Sequence, residues 1–270
     1  MDKYFSYTDG DLDFHYLKDT KPVKANFNLH THEFCEFYCF LGGKGEYKVE
    51  GNTYPLQVGD ILLMQPGEAH YISIDPSHPY KRLAILFNPA LFDWVDSSRK
   101  LLRPFLGRDR GEFNYYSASA FQNENHKFFI NNICNPTGDI RTSIIANFLP
   151  LLNELASAFD NKTELPTQDP LINKIIDYIN SDISKKISLD DICKMFFISK
   201  PHLCRIFKTA TGSTVWEYVT AKRLINAKTL MRSGKSPTEV YAECGFGDYS
   251  SFYRAFKKRF GVSPDEFNNK

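Results

Sequence analysis

The sequence predicts two domains in series: an N-terminal antiparallel β-barrel followed by helices, and a C-terminal all-α domain built from two helix-turn-helix units. Three observations lead there. Short apolar runs are broken by Gly, Pro and Asn between Lys24 and Leu86, apolar residues switch to three- and four-residue spacing from about Glu124, and the last third repeats itself at a constant offset. With 270 residues, 42% of them hydrophobic, the chain can fill two ordinary cores.

The apolar runs are 34–41, 45–49, 61–64, 71–74 and 83–87. Each has the length of a strand, and many short strands between turn residues read as a sandwich or small barrel. Further on, Ile144, Ile145, Phe148, Leu151, Leu152, Leu155 and Phe159 mark an amphipathic helix whose stripe packs either on the barrel or on a second copy of the chain. The polar, proline-bracketed stretch 161–170, with Lys162, Glu164, Pro166, Gln168 and Asp169, reads as an interdomain linker. The division is therefore 1–163 for the first domain, 164–170 for the linker and 171–270 for the helical domain.

The helical domain opens with Leu171, Ile172, Ile175, Ile176 and Ile179 on one face. Three later helix starts carry a hydroxyl and, three residues on, a carboxylate: Ser188 with Asp191, Thr214 with Glu217, and Ser263 with Glu266. The hydroxyl accepts from an orphan backbone N–H and the carboxylate complements the helix dipole. Pro264 suits a first helical position, where its missing N–H costs nothing.

Residues 203–214 align with 252–263 at an offset of 49, bringing Arg205, Phe207, Lys208 and Gly212 onto Arg254, Phe256, Lys257 and Gly261. In each copy a short helix (189–196; 237–244) leads through a turn into a second one (200–209; 249–260), the helix-turn-helix plan. Leu203, Ile206 and Phe207 occupy the inward stripe of one second helix, and Phe252, Ala255 and Phe256 that of the other. The opposite faces carry Lys200, Pro201, His202, Arg205 and Lys208, and Tyr249, Ser250, Tyr253, Arg254, Lys257 and Lys258. These types suit duplex DNA: Arg pairs bidentately with guanine, Ser and His adapt to several bases, and Lys meets phosphate. Between the copies, 215–231 forms one helix about 25 Å long at 1.5 Å per residue, able to hold two reading heads in successive major grooves.

Charge follows the same division. Residues 1–169 hold 16 Lys and Arg against 22 Asp and Glu, a net −6, whereas residues 170–270 hold 17 against 10, a net +7. A basic module joined to an acidic one fits phosphate binding with a separate sensor.

The motifs Ser199-x3-Leu203-x-Arg205-x-Phe207-Lys208, Cys244-Gly245-Phe246-x-Asp248, Phe252-x-Arg254-x-Phe256-Lys257-Lys258 and Gly261-x-Ser263-Pro264 resemble the AraC/XylS family from Ile187 to the C-terminus. The resemblance implies a double-stranded-DNA-binding transcription regulator, more often an activator, with Arg205 and Arg254 on the DNA-facing side. It also implies a homodimer and RNA polymerase as a partner. Val215, Tyr241 and Asn268 depart from that pattern, where proline, a small residue and arginine are common.

In the first domain, His30-Thr-His32-x3-Glu36-x6-Gly43, then Gly59-Asp60 and Pro66-Gly67-x2-His70, resemble the two cupin motifs of a small barrel that encloses one ligand. By that resemblance His30, His32, Glu36 and His70 match the metal positions of enzymatic cupins, a donor set suited to a borderline-soft metal. AraC-type cupins commonly take an organic effector there instead, a sugar by family analogy, so no cofactor is required. Tyr38, Tyr47 and Gln65, with Phe34 and Tyr71, are further candidate effector contacts. A metal-dependent enzyme, a metal-responsive regulator, and a barrel serving only for dimerisation are the alternatives.

No apolar run reaches the roughly 18 to 20 residues of a membrane span, and the acidic start with Asp2, Asp9 and Asp11 lacks the plan of a secretory signal, so a cytoplasmic location without membrane contact is expected. The six cysteines form no CxxC pair and fit reduced core positions.

Overall fold

The computed structural model describes residues 3–22, 29–161 and 170–268. The expected linker, apart from Pro170, lies outside the described residues. In chain order the strands are β1 (Lys3–Thr8), β2 (Leu12–Asp19), β3 (Cys35–Gly42), β4 (Gly45–Val49), β5 (Asn52–Pro55), β6 (Ile61–Met64), β7 (His70–Ile74), β8 (Tyr80–Phe87) and β9 (Tyr115–Tyr116), with a one-turn helix α1 (Arg103–Leu106) before β9. They pair antiparallel into a six-stranded sheet, ordered β1-β2-β8-β3-β6-β9, and a three-stranded sheet, ordered β5-β4-β7.

Alternation along the strands builds two cores. Tyr38, Phe40, Tyr47, Val49, Leu62, Met64, Ile72, Ile74 and Tyr80 cluster between the sheets. Cys35, Phe37, Cys39, Ile61, Leu63, Leu83, Ile85 and Phe87 point the other way. They meet Ile130 and Ile133 of α2 (Asn125–Cys134) and Ile144, Phe148, Leu151, Leu152 and Leu155 of α3 (Ile140–Asp160). Strand β6, Ile-Leu-Leu-Met, is therefore buried on both faces, which is why it reads as an unbroken apolar run. The α3 stripe left open between barrel and partner is packed on the sheet of its own chain.

The helical domain comprises α4 (Pro170–Ser181), α5 (Leu189–Phe196), α6 (Lys200–Thr211), α7 (Val215–Arg232), α8 (Pro237–Glu243), α9 (Tyr249–Phe260) and α10 (Pro264–Asn268). Thr214 and Glu217 exchange the expected reciprocal cap, and Ser263 with Glu266 does the same at 2.7 and 3.2 Å. The repeat is visible in detail. α6 and α9 each end on a glycine in the left-handed region, Gly212 at φ 73° and Gly261 at φ 76°, whose N–H groups donate to the equivalent carbonyls of Lys208 and Lys257. α7 serves both units: Tyr218 and Val219 join a core with Ile176, Ile192, Leu203 and Phe207, while Leu224, Ala227 and Met231 join Val240, Cys244, Phe252 and Phe256. Arg223, buried in the middle of α7, ties the units together by donating to the carbonyls of Ile183 at 2.8 Å, Lys185 at 2.7 Å and Gly245 at 2.6 Å.

No helix among the described residues is long and apolar enough to cross a membrane.

Candidate functional site

The helix α6 starts at Ser199, whose hydroxyl accepts from the N–H of His202, and α9 at Asp248, which accepts from Ser251. With Leu203 and Phe207 fully buried, Lys200, Pro201, Arg205 and Lys208 are left exposed and His202 half-buried. With Phe252 and Phe256 buried, Ser250, Arg254, Lys257 and Lys258 are exposed, and Tyr249 and Tyr253 half-buried. The two arginines are set alike: Arg205 reaches back one turn to His202 Nδ1 at 3.0 Å, and Arg254 to Ser251 Oγ at 3.4 Å. Both guanidiniums keep free donors toward solvent. Lys200 is 2.8 Å from Asp190, a pair exposed enough to exchange freely with a phosphate. Tyr249 is more architectural, its hydroxyl donating to Asp265 at 3.0 Å and its ring packed edge-on to Tyr241.

The sheet domain touches both second helices near their C-terminal ends. Lys48 donates to the Thr209 carbonyl at 2.8 Å, the Tyr71 ring lies where a Cβ on Gly212 would stand only 2.7 Å away, and Arg259 donates to the Thr31 carbonyl at 3.2 Å. Gly212 is thus required twice, by its φ and by Tyr71. The deepest contact is Glu50, at φ 47° on the β4–β5 turn. Its carboxylate accepts from the N–H of Ala69 at 2.6 Å, from the Tyr218 hydroxyl and from Asn180 at 3.3 Å, and pairs with Lys222 of α7. Burial pulls the Lys222 ammonium below its ordinary pKa, and the neighbouring Glu50 opposes that fall. Glu33 forms a second seat, 2.6 Å from Lys228 and 3.0 Å from Arg232. None of Glu33, Glu50, Asn180, Tyr218, Lys222, Lys228 or Arg232 stands out by sequence. A lone Glu before a Gly and a Lys-Arg pair in a helix are common surface patterns.

Inside the sheets the predicted effector residues separate into groups. His30, His32, Glu36 and His70 come together: Glu36 Oε2 is 2.7 Å from His32 Nε2 and 3.0 Å from His70 Nε2, and the His30 and His70 rings are 4.2 Å apart. Burial alone would raise the Glu36 pKa, but the two imidazoles hold it well below the carboxylate range; burial alone would lower that of His70, and Glu36 raises it instead. Tyr47 borders this cluster, its ring stacked 6.0 Å from His70, and Tyr38 lies 4.6 Å from Tyr47 with its hydroxyl 3.0 Å from that of Tyr80. Gln65 is elsewhere, its amide donating to the Arg108 carbonyl at 3.3 Å. Tyr71 and Phe34 face the helical domain, against Gly212 and 6.0 Å from the Arg232 guanidinium.

The AraC-like ligand binding domain family matches residues 16–127, and the helix-turn-helix domain family matches residues 192–270. The chain is similar to the HTH-type transcriptional activator RhaR of Mannheimia succiniciproducens, 23% identical over 271 residues and 95% of each chain. It is also similar to the lactose operon transcription activator of Staphylococcus xylosus, 25% identical over 84% of this chain and 81% of the relative. Among solved structures, ToxT from Vibrio cholerae O395 overlays 97% of this chain and 98% of its own at a TM-score of 0.40 and 15% identity.

Proposed function

The chain belongs to the AraC family of DNA-binding transcription regulators, with a ligand-binding domain ahead of its helix-turn-helix domain, and from that premise we propose that α6 and α9 enter successive major grooves while a small molecule held between the sheets sets how they are presented. Arg205 and Arg254 read base edges. Lys200, Pro201, His202, Lys208, Ser250, Tyr253, Lys257 and Lys258 supply the surrounding base and phosphate contacts, and Tyr249 holds its helix in place. The observation that carries this reading is the matched exposure of Arg205 and Arg254 on two equivalently capped helices.

The effector is a sugar or sugar derivative, bound among His30, His32, Glu36, Tyr38, Tyr47 and His70. The hydroxyls and rings of that group favour such a ligand, and one relative is named for a lactose operon. The regulator acts as an activator, works as a homodimer through the α2–α3 region, contacts RNA polymerase and does so in the cytoplasm without catalysing a reaction. Boundaries at 1–163 and 171–270 go with this reading.

The test is fluorescence anisotropy on the DNA adjoining the gene, with and without candidate sugars. Arg205→Ala and Arg254→Ala should each cost about 1–3 kcal/mol and relax base preference locally. Unchanged affinity in both variants contradicts the reading face.

A further inference from the structure

We propose that the outer face of the six-stranded sheet carries a second small-molecule site, beneath α2, which takes a small monocarboxylic acid with an apolar body and holds its carboxylate on Lys81. The site is separate from the space between the sheets and does not depend on what binds there.

The cavity follows from the side chains of this layer. Phe37, Leu83, Ile85 and Phe87 pack with large side chains into the core shared with α2 and α3. Farther along the same face the lining turns small, to Cys39, Gly59, Ala118 and Cys134. Gly59 stands at φ 95°, and a Cβ there would come within 3.3 Å of that of Ala118. A cavity of about 380 Å³ remains beside α2, walled otherwise by Leu41, Val58, Ile130 and the Tyr16 ring, with the exposed Asn131 and Asn135 at its rim. Interiors seldom leave voids larger than a water molecule, and this one has the size of a small-ligand site.

Charge decides the occupant. Lys81 shares the parity of Leu83 and Ile85 on β8, so its stem starts on the cavity side of the sheet, and its ammonium lies 5.5 Å from the centroid of the Tyr16 ring. Among the described residues no carboxylate pairs with it, and its cross-strand neighbour on β2 is another cation, Lys18. The other two basic side chains of the lining add no free charge. Lys127 is engaged by Glu124. Burial pulls the His126 pKa down, so its ring is neutral near pH 7, with Nδ1 donating to the Asn123 carbonyl at 3.0 Å. One unpaired cation among mostly apolar walls suits one negative charge on an apolar body. A phosphate ester calls for more donors than Lys81 offers, and a neutral sugar would leave the ammonium unmatched and its own hydroxyls against carbon. An acid held this way sets its carboxylate on β8 and its body against Ile130 and Cys134, and so ties α2 to the sheet.

The experiment titrates the full chain in a calorimeter with benzoate, 3-phenylpropionate and hexanoate, and with the primary amide of each as its uncharged match. At least one acid should bind one to one with a Kd below about 1 mM, and at least about tenfold more tightly than its amide. Lys81→Met, which keeps the stem, should weaken the acid at least about tenfold and leave the amide nearly unchanged. Ala118→Phe, which fills the cavity from a half-buried position, should weaken both, with its melting temperature reporting that it is folded. Bound acid should slow the modification of Cys134 by N-ethylmaleimide at least about threefold, read by peptide mass spectrometry, while the exposed Cys204 on α6 reacts at an unchanged rate. Failure of every acid to bind, equal binding of acid and amide, or a preference for the acid that survives Lys81→Met overturns the proposal. Binding that survives Ala118→Phe and leaves Cys134 unprotected puts the acid elsewhere in the chain and overturns it as well.

Discussion

Glu50 and Lys222 form an ion pair that solvent does not reach, their side chains 2% and 4% exposed, although one sits on a turn of the sheet domain and the other midway along α7. The pair therefore couples ligand domain to reading domain at the helix that serves both helix-turn-helix units. Lys222→Met leaves Glu50 charged and buried without its cation and should lose about 3–5 kcal/mol in urea unfolding, whereas Glu50→Leu with Lys222→Met should come close to neutral. A single variant as stable as wild type would show that the two domains are not docked this way in solution.

Glu68 and Arg108 are a second pair with no exposure, here holding the loop before β9. Burial pushes the Glu68 carboxyl up, but the charge and hydrogen bonds of Arg108 prevail and its pKa lies below the usual 4.5. A folded-state pKa depressed in this way contributes stability at pH values above the unfolded pKa and loses it as pH falls through the folded one. Melting temperature should therefore drop on acidification below about pH 4.5, and Glu68→Gln should be destabilised at neutral pH while showing a shallower acid limb. Parallel acid limbs for the two proteins would contradict the assignment.

Phe197 closes α5 in the left-handed region at φ 53° and is 94% exposed as a residue. The strain is unrelieved by packing, so Phe197→Asn should raise stability by about 0.5–1 kcal/mol, read as a higher melting temperature.

Arg223 satisfies three carbonyls from both units. Arg223→Met strands these acceptors and should cost about 2–4 kcal/mol. DNA affinity should fall with it, because the turn before α9 loses its tie to α7. Loss of stability with full affinity would mean that the units read DNA independently of each other.

The strong periodic signals in the sequence all correspond to elements of the structure. The run 61–64 is β6, the apolar spacing 144–159 is α3, and the repeat 203–214 with 252–263 is two equivalent helices ending on Gly212 and Gly261. β1 and β2 lie outside the apolar runs read as strands, although Leu12, Phe14 and Tyr16 alternate with polar residues as a half-buried strand does, and the core that buries them is completed by residues of β8, α2 and α3 from far along the chain. The four cupin-type side chains were legible because three fall within seven residues. The domain interface was not, since Glu50 meets Tyr218 and Lys222 across more than 160 positions and no local pattern marks such a partner.

The most direct measurement is hydroxyl-radical footprinting of the DNA adjoining the gene with wild type, Arg205→Ala and Arg254→Ala. Wild type should protect two segments about 10 base pairs apart per chain, with Arg205→Ala weakening one and Arg254→Ala the other. A single protected segment, or a pattern that neither substitution alters, would contradict the claim that α6 and α9 each read their own groove.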